Sequence, residues 1–427
     1  MLVNRIDTIK RYFKLFLLLW MVVLSQSAWA DYEIRLPIGA KTQAEIEAEK
    51  YDPSELVLVF DTAITGGAAG IGILAPVNIT VDWGDKVANS NCPTVYTTTT
   101  TLYCDNFSRI GTKTVKITGT LNGLGSPRYE EVSGIKALTR VIQFGQTGLT
   151  SLRGAFSYAE NLTRVPATLP PTVTDMAATF HHATKFNDPN VSRWNTQSVT
   201  ILYKSFYSAK AFDQDLDRWD VSNVDNFGSM FTFASQFDGD VSTWDTSNAQ
   251  TMHYMFWGAT HFSSDISNWD VSKIDNMDCM FRGVQNLKGD WSGWDVSNVT
   301  SMKSTFRGVG TIQLNIGGWD VSNVKHFSDT FSSATVLDDL SLWDISNGVS
   351  MSKMFLGTGG RPIGIELWDT SNITDMTAML KTNKTSLADL NLSCWNVAKI
   401  ASAPDQFAII DTLPEANWPS WGTTGCW

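Results

Sequence analysis

The spacing of the tryptophans restricts the fold more than any other feature of this chain. Nine of them recur at intervals of 24, 25 or 27 residues, most often 25. A repeat of this length corresponds to one structural unit, which buries its apolar side only by stacking on its neighbours. The spacing therefore predicts a repeat protein. The nine residues are Trp194, Trp219, Trp244, Trp269, Trp294, Trp319, Trp343, Trp368 and Trp395.

The residues around each tryptophan repeat as well. An apolar residue lies three positions before it and a β-branched residue usually lies two positions after it, as in Ile266, Trp269 and Val271. Short runs of β-branched and aromatic residues are typical of strands, so each unit is predicted to hold one. In most units an acid directly follows the tryptophan, at Asp220, Asp245, Asp270, Asp295, Asp320, Asp344 and Asp369.

The second half of each unit predicts a short helix. Apolar pairs four residues apart, such as Met252/Phe256 and Met302/Phe306, would share one helical face. Residue types that cap helix N-termini precede many of these pairs, for example Thr251. We therefore predict an α/β solenoid of strand–turn–short-helix units with a parallel sheet.

The repeat also resembles a known family. The segments Trp269–Met277 and Trp294–Met302 are similar to a bacterial surface-protein repeat of about 26 residues, which is related to the BspA-like leucine-rich repeats. The resemblance covers roughly residues 140 to 400. It implies a leucine-rich-repeat-like stack on an exported or surface protein, with adhesion or protein binding as its role. It supplies no catalytic residues.

A different pattern precedes the repeats. The segments Leu56–Phe60, Val77–Trp83 and Lys113–Gly119 alternate between apolar and polar residues as strands do. The sequence Val81-Asp-Trp-Gly-Asp85 resembles a turn of PKD-type β-sandwich modules. This resemblance implies an N-terminal β-sandwich.

We divide the chain accordingly. The predicted parts are a signal peptide (1–30), a lead-in (31–51), a PKD/Ig-like β-sandwich (52–128), the repeat solenoid (129–395) and a C-terminal cap (396–427).

The first thirty residues predict export. A basic start that includes Arg5 and Lys14 is followed by the apolar run Leu15–Leu24 and by Ala28-Trp-Ala30, which suits a cleavage site. The run is shorter than the roughly 20 residues that span a bilayer, which disfavours the alternative of an uncleaved anchor. We expect a secreted or cell-surface protein that meets membranes only by indirect association.

Five cysteines suit an exported chain. Cys92 and Cys104 are close in one segment, and Cys394 and Cys426 are close to the other end, so each pair is a candidate disulfide. Cys279 lies alone inside a repeat, where a small buried apolar role is expected.

The acids form two columns with no distinct member. One follows the tryptophans and the other lies four positions before them. Carboxylates stacked one above another repel each other, so each column needs a compensating partner. Local backbone N–H groups are the expected partner, and calcium is the alternative. We therefore predict no cofactor and no metal. The second column consists of Asp215, Asp240, Asp265, Asp290 and Asp339.

No enzyme motif stands out. The chain lacks a Gly-x-Ser-x-Gly elbow, a phosphate-binding glycine loop and a His-Glu-x-x-His pair. A net charge of −11 disfavours nucleic acid. We predict a non-catalytic protein that recognises a protein or glycan on another surface. The alternatives are a structural spacer and an extracellular polysaccharide-active β-solenoid enzyme. Partner choice is assigned to variable positions before the tryptophans, namely Arg218, Thr243, Asn268, Gly293, Gly318 and Leu342.

Overall fold

A computed structural model describes residues 43–84, 92–98, 101–105, 107, 109–381, 387–408 and 413–426. The predicted signal peptide (1–30) and most of the lead-in lie outside the described residues. The chain from Ala44 onward forms one compact unit. In the part of the chain that the structure describes, no helix has the length and apolar character needed to cross a membrane.

The N-terminal part is one antiparallel sheet rather than the predicted sandwich. A short helix α1 (Gln43–Ala48) precedes it. The strands are β1 (Leu56–Asp61), β2 (Ala69–Asp82), β3 (Val95–Tyr96), β4 (Thr101–Cys104), β5 (Thr112–Leu124) and β6 (Leu138–Gln143). They pair in the order β3-β2-β5-β1-β6, and β4 also pairs with β2. Burial alternates along the second half of β2 because one face covers the core.

The predicted α/β solenoid with a parallel sheet is wrong. The described repeats contain no α-helix, and their chain runs through successive turns. Parallel pairing is limited to β7 (Thr311–Ile312) with β8 (Thr335–Val336) and to isolated bridges. One such bridge, Ser301↔His326, falls where a helix N-cap was predicted. The short 3₁₀ helices are Ile135–Ala137, Pro189–Arg193, Ile316–Gly318, Ile365–Leu367 and Glu415–Asn417.

The hydrogen bonds explain why no helix forms. The N–H of Phe206 donates to the carbonyl of Met230 in the next unit (2.9 Å), whereas the N–H of Ser205 donates three residues back to Leu202 (3.1 Å). An α-helix would instead direct every N–H four residues back. Lys204 and Ser208 also have positive φ (58° and 55°), which a right-handed helix excludes. Apolar residues four apart therefore share a face of a turn segment here.

The tryptophans form the interior column of the repeats. All nine repeat tryptophans are at most 4% exposed. The Trp294 Nε1–H donates to the Ile266 carbonyl (3.2 Å), and the same bond recurs in the other units. Phe231 and Phe256 stack in a second column with ring centroids 5.5 Å apart. Successive units therefore pack side by side around one continuous apolar interior.

Candidate binding surface

The two predicted columns of acids are exposed or half-buried, and all but Asp215 close turns. Asp215 Oδ1 instead accepts the N–H of Asp240 in the next unit (2.9 Å). Asp295 Oδ1 accepts the N–H of Ser297 (3.0 Å), and Asp240 Oδ1 accepts that of Ser242 (2.8 Å). Hydrogen bonds from the Ser297 hydroxyl and N–H hold the pKa of Asp295 below its usual range. In the described ranges, no three His, Cys, Asp or Glu side chains gather as a metal site would require. The same Oδ1 contact recurs at Asp220, Asp245, Asp270, Asp320, Asp344 and Asp369.

Asparagines beside the Trp-Asp turns link one unit to the previous one. Asn298 Nδ2 donates to the Ser272 carbonyl (2.7 Å), and Asn323 Nδ2 donates to the Ser297 carbonyl (2.8 Å). Side-chain amides that bond to a neighbouring backbone hold the turns in register. The Asp and Asn side chains on this face of the repeats therefore form hydrogen bonds within the protein.

The other predicted positions have simple surroundings. The structure contains both disulfides, Cys92–Cys104 and Cys394–Cys426. Cys279 is free and buried, and burial raises the pKa of its thiol. The variable positions before the tryptophans are all exposed. Among them, Leu342 is 77% exposed and lies one unit away from Leu367, which is 64% exposed.

A cavity of about 400 Å³ lies beside α1 and the proline-rich loop 166–171. Its lining is largely apolar and includes Ile142 and Phe144. The carboxylate of Glu45 in this lining lies 3.9 Å from the Arg193 guanidinium. The described lining residues include Thr168 but no serine, cysteine or histidine.

A surface of aromatic rings runs across the first half of the repeats, on the turn segments that follow the Trp-Asp turns. We call it the aromatic strip. All of its rings are half-buried except that of His181, which is buried. The strip consists of Tyr129, Tyr158, His181, His182, Tyr203, Tyr207, Phe233, His253, Tyr254 and Trp257.

The rings touch from unit to unit. Tyr158 stacks on His182 with centroids 4.7 Å apart, and His182 lies 5.5 Å from Tyr207. Tyr207 meets Phe233 edge-on at 5.8 Å, and Phe233 lies 4.7 Å from Trp257. These separations suit favourable aromatic pairs. The strip is therefore one continuous surface.

Cations lie on these rings. Lys204 Nζ lies over the rings of Tyr203 (5.1 Å) and Tyr207 (5.6 Å), and the Arg282 guanidinium lies over Trp257 (4.9 Å). Within the described residues, no carboxylate is within 4.0 Å of either cation. Cation–π contact holds such groups in place without cancelling their charge.

The histidines of the strip add no charge near neutral pH. Burial, with smaller contributions from His182 and Lys204, lowers the pKa of His181 to about 3. Its Nδ1 lies 3.1 Å from the Ser157 hydroxyl oxygen. Burial also lowers the pKa of His182 and His253. The positive charge of the strip therefore comes from lysine and arginine.

Several ring positions have strained backbones. Tyr158, His182, Phe233 and Tyr254 have φ between 57° and 62°, where side chains other than glycine are uncommon. Later units carry glycine at the positions equivalent to Phe233. Large rings at strained positions, where the same fold accepts glycine, favour a role in function. These glycines are Gly258, Gly283 and Gly308.

Sequence reasoning missed the strip and assigned partner choice to the positions before the tryptophans. A signal was present, because His253, Tyr254 and Trp257 alternate with the repeated core residues Met252 and Phe256. Rings at these intervening positions are absent from most later units, so a search for what repeats passes over them.

The family of the repeats follows from comparison with known proteins. Residues 150–269, 258–361 and 358–424 match the family described as "Mycoplasma protein of unknown function, DUF285". No curated protein and no solved structure matches the chain. The match leaves out residues 52–128, so the PKD-type resemblance stays a prediction. The match agrees with the predicted similarity to bacterial surface repeats. Because the match covers more than half of the chain's residues, this chain belongs to the DUF285 repeat family.

Proposed function

We propose that this protein is a non-catalytic binding protein on the outside of the cell and that the aromatic strip is its contact surface. The observation that carries the proposal is the continuous row of half-exposed rings. Three of them, Tyr158, His182 and Phe233, lie at positive-φ positions that later units fill with glycine. Tyrosine, tryptophan and arginine supply much of the energy of protein interfaces. Their rings give a large contact area at a small entropic cost.

Two further features support a role outside the cell. Both disulfides suit an oxidising compartment, and the predicted signal peptide suits export. The acidic balance of −11 argues against nucleic acid and against anionic membrane surfaces. Any association with a membrane would therefore be indirect.

The acids support a binding role over a catalytic one. A general acid or base requires a carboxylate whose pKa and surroundings set it apart from others. Here Asp295 makes the same turn contact as its equivalents in other units. Asp240 likewise shares its turn contact with Asp265, Asp290 and Asp339, whereas Asp215 accepts the N–H of Asp240. All of these carboxylates accept backbone N–H groups. We therefore assign the columns to structure, with no metal and no catalytic residue.

The test compares ligands of wild-type protein with those of two variants on arrays of extracellular proteins and glycans. The strip variant carries Tyr207→Ser and Trp257→Ser. The matched control carries Leu342→Ser and Leu367→Ser, which remove exposed apolar groups outside the strip. We expect the affinity of the strip variant for the wild-type ligands to fall roughly tenfold or more, because anchor residues of the interface are removed. The control variant should keep them.

Other results would overturn the proposal. Loss in the control variant alone would move the contact to the positions before the tryptophans. A wild-type protein that binds neither proteins nor glycans would favour a structural spacer. Melting curves of both variants verify that they remain folded.

A further inference from the structure

We infer that the aromatic strip binds an acidic polysaccharide, a chain of sugar rings that carries carboxylate or sulfate groups. This inference rests on the proposed function, since it identifies the partner of the same surface. Three observations carry it: the spacing of the rings, the unpaired cations and a glycine trough that continues the strip.

The first observation is the spacing. Ring centroids along the strip lie 4.7 Å (Tyr158 to His182), 5.5 Å (His182 to Tyr207), 5.8 Å (Tyr207 to Phe233) and 4.7 Å (Phe233 to Trp257) apart. These steps are close to the length of one pyranose ring. The rings are not coplanar, since the angles between successive ring planes are 3°, 46°, 88° and 50°. A linear polysaccharide would therefore contact ring edges as well as ring faces through its apolar C–H groups, while its hydroxyl groups stay in water.

The second observation is the charge. The net charge of −11 repels polyanions at long range, so binding of one depends on cations at short range. Lys204 and Arg282 lie on the strip, and no described carboxylate is within 4.0 Å of either. They belong to units that are three repeats apart. Guanidinium groups bind carboxylate and sulfate through paired hydrogen bonds. Acidic groups at intervals along a polymer would match two such cations.

The third observation is the trough. Beyond Phe233 the strip continues over Gly258, Gly283 and Gly308, all with positive φ. A Cβ built at Gly258 would come within 2.7 Å of the Phe233 ring, so a side chain there would collide with the ring. At Gly283 and Gly308 an added Cβ would meet only backbone atoms, at 3.8 Å, so their positive φ is what favours glycine there. The floor carries no side chains, and Arg282 directly precedes Gly283. A polymer lying on the rings can run into this trough beside a guanidinium.

Two other classes of partner fit less well. A nucleic acid is held by many phosphate contacts, whereas two unpaired cations over three repeats are sparse. An extended peptide would need free backbone groups for strand addition. Along the strip those groups are occupied, for example the N–H of Tyr207 by the Lys204 carbonyl (3.0 Å) and the N–H of Ser208 by the Thr232 carbonyl (2.7 Å).

The experiment measures binding of the full exported chain to polygalacturonate and to its methyl-esterified form by affinity electrophoresis and calorimetry. Esterification keeps the polymer and removes its charge, so it is the matched ligand control. Sulfated heparin and neutral cello-oligosaccharides complete the set. We expect binding to an acidic polymer that weakens with salt and falls roughly tenfold on esterification, because charge pairs carry the difference.

The variants separate stacking from charge. Tyr207→Ala and Trp257→Ala should each lower affinity roughly tenfold by removing a stacking platform. Lys204→Met and Arg282→Met should lower it several-fold and flatten the salt dependence. Lys273→Met is the matched control, since that lysine bonds to Asn248 on the Trp-Asp face (3.2 Å). It should bind as wild type does.

The failures are distinguishable. Equal binding to acidic and esterified polymer would overturn the acidic requirement. If no polysaccharide binds but the strip variants lose a protein ligand, this inference is wrong and the proposed function stands. If the strip variants keep every ligand, both are wrong. Near-ultraviolet circular dichroism of each variant confirms that the interior is intact.

Discussion

At the scale of single residues, each repeat tryptophan both fills space and satisfies a backbone group. The Trp294 ring stacks on Trp291 (4.5 Å) and on Trp319 of the next unit (6.0 Å). Its indole N–H donates a hydrogen bond to the Ile266 carbonyl of the previous unit. A buried carbonyl left without a donor is costly. The indole therefore has two separable contributions to stability.

Substitution at Trp294 measures both contributions. Trp294→Ala should lower the free energy of unfolding by about 3–5 kcal/mol, as large aromatic truncations in cores do. Trp294→Phe keeps a ring and removes one of two donors to the Ile266 carbonyl, which also accepts the backbone N–H of Trp269 (3.1 Å). A loss of about 0.5–1.5 kcal/mol, the net value of one hydrogen bond, is therefore expected. Urea unfolding followed by fluorescence measures both. An alanine variant as stable as the wild type would contradict the buried packing.

The buried His181 gives a dependence of stability on pH. Its folded pKa is about 3 and its unfolded value is 6.5, so between these values the unfolded chain binds more protons. Stability from this group is complete above pH 6.5 and falls as the pH drops towards 3, by at most about 1.4 kcal/mol per pH unit. Urea unfolding from pH 7 to 4 should show a shallower loss in His181→Phe. His261→Gln, at an exposed histidine, is the control, and parallel curves for all three proteins would contradict the assignment.

At the scale of the repeated element, the sequence predicts the period and the core columns but not the backbone path. The apolar spacing fixes which residues face inward, and Trp244, Phe256 and Met252 are buried. The path was mispredicted because apolar pairs four apart suit both a helix and this turn segment. The choice depends on N–H groups that donate alternately to the next unit and back along the chain. Side-chain patterns do not reveal that alternation.

The same limit applies to the candidate site. The disulfide pairs follow from the cysteine positions, and the turn role of the acids follows from residue types that accept local N–H groups. The strip does not follow, since it requires Tyr207, Phe233 and Trp257 of three different units to meet. Only the offset between neighbouring units brings them together.

The positive-φ positions of the turn segment allow a direct test of backbone strain. Lys353 has φ 57° and an exposed side chain. Lys353→Val should cost about 1–2 kcal/mol, because a β-branched residue is strained in this region, whereas Lys353→Gly should be neutral or stabilising. Thermal and urea unfolding measure the change. Lys325→Val, at an exposed position without positive φ, is the control, and an equal loss there would contradict the role of strain.

At the scale of the whole molecule, each unit bonds to the units directly before and after it. Stability in such arrays is close to a sum of unit and interface contributions. Removing a whole unit should therefore leave a folded chain, provided that the register of the columns is kept.

Two deletions of equal length test this additivity together with the position of the site. Removing residues 344–368 takes out one 25-residue unit beyond the strip and its glycine trough, and removing 220–244 takes out one that contains Phe233. Both chains should melt cooperatively at a somewhat lower temperature. Only the first should keep the ligands of wild-type protein. A 12-residue deletion breaks the register and should unfold, and failure of both whole-unit deletions to fold would contradict the additivity.

The alternating hydrogen bonds also give the array a direction. In the described turn segments, the N–H groups that are not bonded within their own unit donate to carbonyls of the following unit. The N–H of Leu152 donates to the Asp175 carbonyl, and that of Lys353 donates to the Thr377 carbonyl. At the far end, Ala378 and Leu380 find their acceptors in Asp405 and Phe407. A chain that stops early would end in a row of unmet donors, which carbonyls at the front of a second copy could satisfy. The last turns, tied back by Cys394–Cys426, therefore occupy the acceptor side that a second copy would otherwise supply.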